Sequence, residues 1–228
     1  DKAIELKTNY KIALLNRGQI LFDKGDYELS LKDFDNCNTL DSRSRSLVSL
    51  YALGQIDEIY NRINTLSELD EDNIRIAAFS SFITYKRNID TKYNFCKNPI
   101  DFINISNISN QIKDHSSFIS QVIKELQNIE TKWEPLGKTT IKGFQSKSNL
   151  FESPTENIKK LKSIIINKIE SYKLIFKDEK CSYIKKWPIN IKLACWHVIL
   201  KQQGYQNPHI HPGGWLSGVF YLKVTPDL

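Results

Sequence analysis

Two histidines late in the sequence have the residue type and spacing of metal ligands. His209 and His211 are separated by one residue, so on an extended strand both side chains project from one face. An α-helix would instead turn one away from the other by about 200°, given its 3.6 residues per turn. The pattern therefore predicts two imidazoles that converge on one point. Such pairs occur in metal sites and also in ordinary hydrogen-bonded positions, and the pair alone leaves both interpretations open.

The residues around the pair favour a rim that opens onto a pocket. Pro208 and Pro212 remove backbone donors and stiffen the segment, as suits an edge strand. Non-haem Fe(II) enzymes bind iron through two histidines and one carboxylate, which leaves positions open for a co-substrate and dioxygen. This sequence has His-x-His where such enzymes usually have His-x-Asp or His-x-Glu.

A longer set of residues points to a known family. The specific pieces are Trp196-His-Val-Ile-Leu200, Gln203-Gly-Tyr205, Pro208-His-Ile-His-Pro212, Gly214-Trp-Leu-Ser-Gly218-Val-Phe-Tyr-Leu222 and Pro226. Weaker pieces are Phe95-Cys96, Asn98-Pro99, Thr140, Gly143, Gln145, Leu150-Phe151 and Trp187-Pro188. Together, over about residues 90–228, they resemble the 2-oxoglutarate-Fe(II) oxygenase family that is often found behind tetratricopeptide repeats.

The resemblance implies a double-stranded β-helix, which is a distorted jelly roll with helices packed on one sheet. It implies that His209 is the first iron ligand and that His211 stands where relatives carry the carboxylate. Fe(II) would be the cofactor and 2-oxoglutarate the co-substrate of a hydroxylase-type dioxygenase, with no catalytic residue beyond the metal ligands. Tyr205 and Tyr221 are candidate donors to a 2-oxoglutarate carboxylate. The substrate is left open.

Two features that the family requires are missing from the sequence. The fold needs a distal histidine and, beyond it, a basic residue that holds the far carboxylate of 2-oxoglutarate. His211 is the last histidine, and Lys223 is the only basic residue after it. We therefore expect half of the barrel and at most two iron ligands. Because the sequence also contains no Met, we expect a fragment cut at both ends, with activity belonging to a longer protein.

Residues near the pair are assigned to packing. His197 shares a predicted strand face with Cys195, which favours a packed imidazole over a catalytic one. The nearby aromatic residues are predicted to be core or pocket-wall residues: Trp196, Trp215, Phe220 and Tyr221.

Strands are predicted for the last part of the chain. After Trp187-Pro188 the apolar period becomes two, which predicts a strand over 191–199 that Gly204 then breaks. A strand pair about 202–206 and strands over 208–211 and 215–224 complete the prediction.

Two helices are predicted between about residues 115 and 176. The first ends before Trp133 and repeats its apolar residues at helical spacing: Phe118, Val122, Leu126 and Ile129. The second begins at Ser153-Pro-Thr-Glu156, which reads as an N-cap with a capping box. Its apolar face is Ile158, Leu161, Ile165, Ile169, Tyr172 and Phe176.

Residues 1 to about 90 resemble a short tetratricopeptide-like array. Gly18 would let two helices approach, and Gly25 would make the turn between them. A weaker second copy is centred on Gly54, and a further helix runs from Ile74 to Ile83. The array is either a packing domain or a groove for a peptide or protein partner.

The predicted class is therefore α+β. Residues 1–90 would form tetratricopeptide-like helical repeats, and residues 91–228 the N-terminal half of an oxygenase-like jelly roll. The alternative function is a non-catalytic tetratricopeptide-type interaction module, in which the β-rich part is a structural remnant.

Composition bounds the partners. The net charge of +6 comes from scattered lysines without a basic cluster, so it does not favour nucleic acid. No apolar run reaches transmembrane length, and no membrane partner is predicted. The four cysteines have no CxxC spacing, which favours a reduced, cytoplasmic protein.

Overall fold

The computed structural model describes residues 2–6, 10–69, 73–93, 95–96 and 98–224. These residues form α-helices and one small antiparallel sheet, so the predicted α+β class is confirmed at that level. The chain divides into two compact units, which are residues 1–101, 180–185 and 212–214, and residues 102–179, 186–211 and 215–228. No described helix is long and apolar enough to cross a bilayer. The predicted boundary near residue 90 and the jelly roll stay predictions.

The α-helices of the described residues follow one another closely up to residue 87 and are separated by longer segments on either side of the helix at His115–Gln127. In chain order they are α1 (Lys2–Leu6), α2 (Lys11–Asp23), α3 (Tyr27–Cys37), α4 (Leu40–Ala52), α5 (Ile56–Leu69), α6 (Ile74–Arg87), α7 (His115–Gln127), α8 (Glu156–Ile175) and α9 (Ser182–Lys185). Two short 3₁₀ helices lie at Pro99–Phe102 and Ser109–Gln111.

In the first unit, α2 and α4 end in the same kind of turn. Gly25 (φ +87°) and Gly54 (φ +72°) both lie in the left-handed region. Each glycine N–H bonds the carbonyl three residues before it, and the following N–H bonds the carbonyl five residues before it, which is a Schellman motif. The predicted glycine turn is confirmed, and the second helix pair repeats it. The assignment of these pairs to the tetratricopeptide class stays a prediction.

Gly18 allows close packing of α2 on α3. A Cβ placed there would lie 2.7 Å from a ring carbon of Phe34. Phe34 is 1% exposed, so its ring has no room to move away. The predicted need for a small residue at position 18 is therefore confirmed. The core that follows is built from Leu47, Leu50, Ile59, Ile63, Leu66, Ile76, Ala77, Ile83 and Tyr93.

Replacement of Gly18 by alanine should destabilise the protein by about 1 kcal/mol. Alanine improves helix propensity by about 1 kcal/mol, but overpacking a core costs about 1–3 kcal/mol. Urea unfolding of the two single mutants and the double mutant with Phe34→Leu measures the interaction energy between positions 18 and 34. We expect Gly18→Ala to cost less in the Phe34→Leu background, where space exists. An equal cost in both backgrounds would refute the packing argument.

In the second unit, α7 and α8 cover one core. The predicted helix around Phe118 is confirmed as α7, and Asp114 caps it by accepting the Ser117 N–H at 3.1 Å. The predicted capping box at Ser153 is wrong, because α8 begins at Glu156 and the hydroxyl of its N-cap residue, Thr155, is bonded to Glu125 of α7. The buried residues of this core are Ile108, Ile112, Phe118, Val122, Leu126, Leu150, Phe151, Ile158, Leu161 and Ile164.

The sheet contains β1 (Thr131–Trp133), β2 (Thr140–Ser146) and β3 (Val198–Gln206), in that order. The β2–β3 pairing has an irregularity at Lys142, whose φ is +50°. Gly204 passes so close to it that a Cβ would lie 2.5 Å from the Lys142 carbonyl oxygen. Glycine at position 204 therefore permits the two strands to stay paired up to Gln206.

Several strand predictions are wrong. Residues 191–197, 208–211 and 215–224 have no strand, and β3 runs through Gly204 without a break. Apolar alternation indicates a half-buried chain, but a strand also needs a second segment that pairs with its backbone groups. β2 supplies that segment for residues 198–206. Within the described part of the chain, no segment pairs with 215–224.

Candidate metal centre

The two predicted ligands meet without a strand. Their Nε2 atoms are 3.2 Å apart, and the ring centroids are 4.7 Å apart at an interplanar angle of 84°. His209 is exposed, whereas His211 is half-buried and lies against Trp196 with ring centroids 5.4 Å apart. Burial, and then the neighbouring His209, lower the pKa of His211, which favours the neutral imidazole that a metal requires.

The backbone of Asn207 positions this pair. Its N–H donates to the Thr139 carbonyl at 2.8 Å, which ties the segment after β3 to the start of β2. Its carbonyl lies 2.7 Å from Nδ1 of His209. A carbonyl only accepts, so Nδ1 carries the proton, and in that tautomer the lone pair on Nε2 lies at hydrogen-bond distance from Nε2 of His211. A backbone carbonyl on the second ring nitrogen is the usual way in which a metal-binding histidine is oriented.

Both histidines line a groove of about 330 Å³, which lies within the size range of small-molecule sites. Its wall also contains Gly137, Lys138, Thr139, Gln145, Ser146, Lys147, Ser148, Asn149, Cys195, Trp196, Gln206 and Ile210. The lining includes two lysines and no described acidic residue, and Lys147 is paired with Glu130. Several polar side chains line the groove, and its charged side chains are lysines, which suits an anionic ligand.

Asn149 fixes the segment that carries Trp196. Its side-chain oxygen accepts the N–H of Cys195 at 2.9 Å and that of Phe151 at 3.1 Å. The Leu150 N–H donates to the Cys195 carbonyl at 2.8 Å. Burial raises the pKa of the Cys195 thiol, which disfavours the nucleophilic thiolate form. All four cysteines are free thiols in the structure.

His197 is packed, as predicted. It is 9% exposed, and neither ring nitrogen has a hydrogen-bond partner among the described residues. Its backbone N–H donates to the Ser146 hydroxyl at 3.1 Å. Burial lowers the pKa of His197, because an imidazolium without a partner is poorly solvated there.

Acid should therefore destabilise the fold through His197. The unfolded chain takes up the proton near the ordinary pKa of about 6.5, while the folded chain does so only at lower pH. The contribution of the neutral His197 ring to folding stability is complete above about pH 6.5. As the pH falls below that value, the contribution decreases by at most about 1.4 kcal/mol per pH unit. Urea unfolding at pH 7.5, 6.5 and 5.5 should show a smaller acid loss for His197→Leu. Parallel pH profiles for the two proteins would contradict this expectation.

The two predicted tyrosine donors lie outside the groove. Tyr205 on β3 is 50% exposed and Tyr221 is 75% exposed, and neither lines the wall beside the histidines. The prediction that Tyr221 packs in the core or a pocket wall is wrong, because its strand does not form. Phe220 and Leu222 instead pack partly against the core of their unit.

The geometry allows a test of whether Fe(II) fits. Metal–imidazole bonds are about 2.0–2.1 Å long, so two at a right angle place their nitrogens roughly 3.0 Å apart. The 3.2 Å between the Nε2 atoms is a hydrogen-bond length in the structure, and it is also close to the spacing that a shared metal ion requires. The described residues contain no group of three or more His, Cys, Asp and Glu side chains that could hold a metal. The pair fits two adjacent coordination positions of a metal ion, and the remaining coordination positions must be filled by other ligands.

A family comparison agrees with the location of this pair. A family model described as "Putative 2OG-Fe(II) oxygenase" matches residues 194–228, which include Trp196, His209 and His211. The match supports a relationship to 2-oxoglutarate-Fe(II) oxygenases for this stretch and none for the helical part. No curated protein and no solved structure matches the chain.

Proposed function

We propose that this chain carries the iron-facing segment of a 2-oxoglutarate- and Fe(II)-dependent dioxygenase, with His209 and His211 as two metal ligands. One observation carries the proposal: the two Nε2 atoms lie 3.2 Å apart while the Asn207 carbonyl holds the proton of His209 on Nδ1. The family match over residues 194–228 supports the identity of the metal as iron.

The residues of the groove have distinct roles in this proposal. His209 presents a fixed lone pair, because rotation of its ring would break the bond to Asn207. Trp196 packs on His211 and limits the rotation of that ring. Bound Fe(II) would supply the activation of dioxygen for hydroxylation, and the lysine-bearing wall would attract the dianionic 2-oxoglutarate.

Anaerobic titration of Fe(II) into the full chain with 2-oxoglutarate tests the proposal. A weak visible charge-transfer band is expected when a 2-oxo acid chelates iron at the site. Glutarate, which lacks the 2-oxo group, should give no band and serves as the ligand control. If the band is absent while both ligands are saturating, the dioxygenase proposal is wrong for this chain.

A second candidate function is a non-catalytic interaction module. The observation that favours it is the repeated helix pair, in which α2 and α4 end in the same turn, because repeated helix pairs can stack into a binding surface. In the first unit a groove of about 400 Å³ is lined by charged and amide side chains, among them Arg43 and Arg62. Retention of partner binding by a His209→Ala, His211→Ala protein, together with no metal binding by the wild type, would favour this alternative.

A further inference from the structure

Gln145 is a buried residue whose side-chain oxygen is hydrogen-bonded and whose side-chain NH₂ group is available to a ligand. It lies on β2 and is 6% exposed. Its side-chain oxygen accepts the Thr140 hydroxyl proton at 2.9 Å. Its side-chain nitrogen has no hydrogen-bond acceptor among the described residues. That nitrogen is not among the described polar atoms that are both fully buried and unpartnered, so it is accessible. Because Gln145 lines the groove of the two histidines, the amide NH₂ is the part that meets the groove.

A chain of hydrogen bonds sets the direction of this amide. Gln206 donates from Nε2 to the Thr140 hydroxyl oxygen at 3.3 Å. The single proton of that hydroxyl is then given to Gln145. Thr140 is 1% exposed and cannot turn to water, and the pairing of Thr140 with Gln206 across the sheet keeps the donor beside it. The side-chain oxygen of Gln145 therefore accepts a hydrogen bond from Thr140, which orients the NH₂ group as a donor towards the groove.

The charged side chains of the groove wall favour an anionic acceptor for the Gln145 amide. Lys138 and Lys147 lie in the same wall, and no described acidic residue lines it. The amide donor is open to the groove, and an anionic ligand oxygen that replaced water there would form a stronger, charge-assisted hydrogen bond with it. A carboxylate accepts from the amide and is attracted by Lys138, since Lys147 is already paired with Glu130.

We propose that the carboxamide of Gln145 donates a hydrogen bond to a carboxylate oxygen of the ligand bound beside His209 and His211. This inference rests on the proposed function and assigns a ligand-binding residue to it. Thr140 and Gln206 act as positioning residues. The carboxylate belongs either to 2-oxoglutarate or to a carboxylate-bearing substrate, since the recognition chemistry is the same.

Nuclear magnetic resonance on the full chain loaded with redox-inert Zn(II) tests the proposed hydrogen bond through the chemical shifts of the Gln145 side-chain NH₂ group. The side-chain NH₂ resonances of Gln145 should shift when 2-oxoglutarate is added, while those of Gln202 should not. A shift with 2-oxoglutarate identifies the co-substrate as the source. A shift only when acetate follows saturation with 2-oxoglutarate identifies a second carboxylate. No shift with either ligand overturns the proposal.

Calorimetric titration of 2-oxoglutarate into Zn(II)-loaded variants supplies the second readout. Gln145→Glu replaces the donor by a like charge and should weaken binding by at least about tenfold, the equivalent of one charge-assisted hydrogen bond. Gln206 is exposed, so Gln206→Ala should fold and should weaken binding by about two- to fivefold because the relay loses its direction. Gln202→Ala, an exposed glutamine of β3 outside the groove, is the matched control.

The outcomes separate the inference from the function on which it rests. Unchanged 2-oxoglutarate affinity in Gln206→Ala, and in Gln145→Glu if it folds, overturns the role of Gln145 alone. Metal binding that survives the loss of His209 and His211 overturns the proposed function instead. Weaker 2-oxoglutarate binding with unchanged Zn(II) affinity and thermal stability supports the inference.

Discussion

Replacement of His209 by alanine should weaken Fe(II) binding by at least about a hundredfold. Loss of a residue that merely orients a ligand typically costs about 10–100-fold in metal affinity, and loss of the ligand itself should cost no less. His209 is the ring whose tautomer is fixed, by a 2.7 Å contact of its Nδ1 with the Asn207 carbonyl. Its Nε2 therefore supplies a lone pair that water would have to replace.

Anaerobic calorimetry with Fe(II), or the visible absorption of Co(II), measures this effect. His211→Ala should behave similarly, because its Nε2 lies 3.2 Å from that of His209. His115→Ala, which removes a histidine at the start of α7, is the matched control and should bind metal like the wild type. If both groove variants also bind like the wild type, the two imidazoles are a hydrogen-bonded pair and not a metal site.

Replacement of Gly204 by alanine should have the largest effect on stability, about 2–3 kcal/mol, at the upper end of overpacking costs. The new Cβ would lie 2.5 Å from the Lys142 carbonyl oxygen and 2.9 Å from that of Lys201. Both are backbone atoms, so no side chain can move aside. The β2–β3 pairing must then open, and the Asn207 segment that follows β3 must shift with it.

Urea unfolding and a metal titration of the same variant check this expectation. Metal affinity should fall together with stability, because the bond from Asn207 to Thr139 depends on the end of β3. Gly213→Ala is a matched control next to the histidines, since a Cβ there meets no atom within 4 Å. A Gly204→Ala protein as stable as the control would show that the strand pairing yields without cost.

The helices could be predicted because their signals are local. Apolar residues three and four apart mark the face that α7 buries, and Phe118, Val122 and Leu126 are buried there. Gly25 marks the end of α2, because a left-handed residue is needed where the chain leaves the helix. The local pattern places the start of α8 too early, and a non-local contact marks the true start, where Glu125 of α7 binds the hydroxyl of the N-cap residue Thr155.

The strands could not be predicted to the same extent. Whether an alternating segment becomes a strand depends on a partner distant in sequence, and Gln145 pairs with Val198 across more than fifty residues. The sequence does not predict the proposed role of Gln145 for the same reason. Its only sequence signal was membership in a weak family pattern with Thr140, and neither residue type by itself indicates a ligand.

The sequence by itself determined the two histidines, their spacing and the resemblance of their segment to an oxygenase family, because chemistry and motif reside in neighbouring residues. Only the tertiary structure decided that the imidazoles converge without a strand, through the backbone of Asn207. It also decided that Gln145 and Gln206 share one groove wall with them, and that the Thr140 hydroxyl is hydrogen-bonded to both. The physical reason is that hydrogen bonds and close packing join atoms by distance in space, and the order of residues specifies that distance only after the chain has folded.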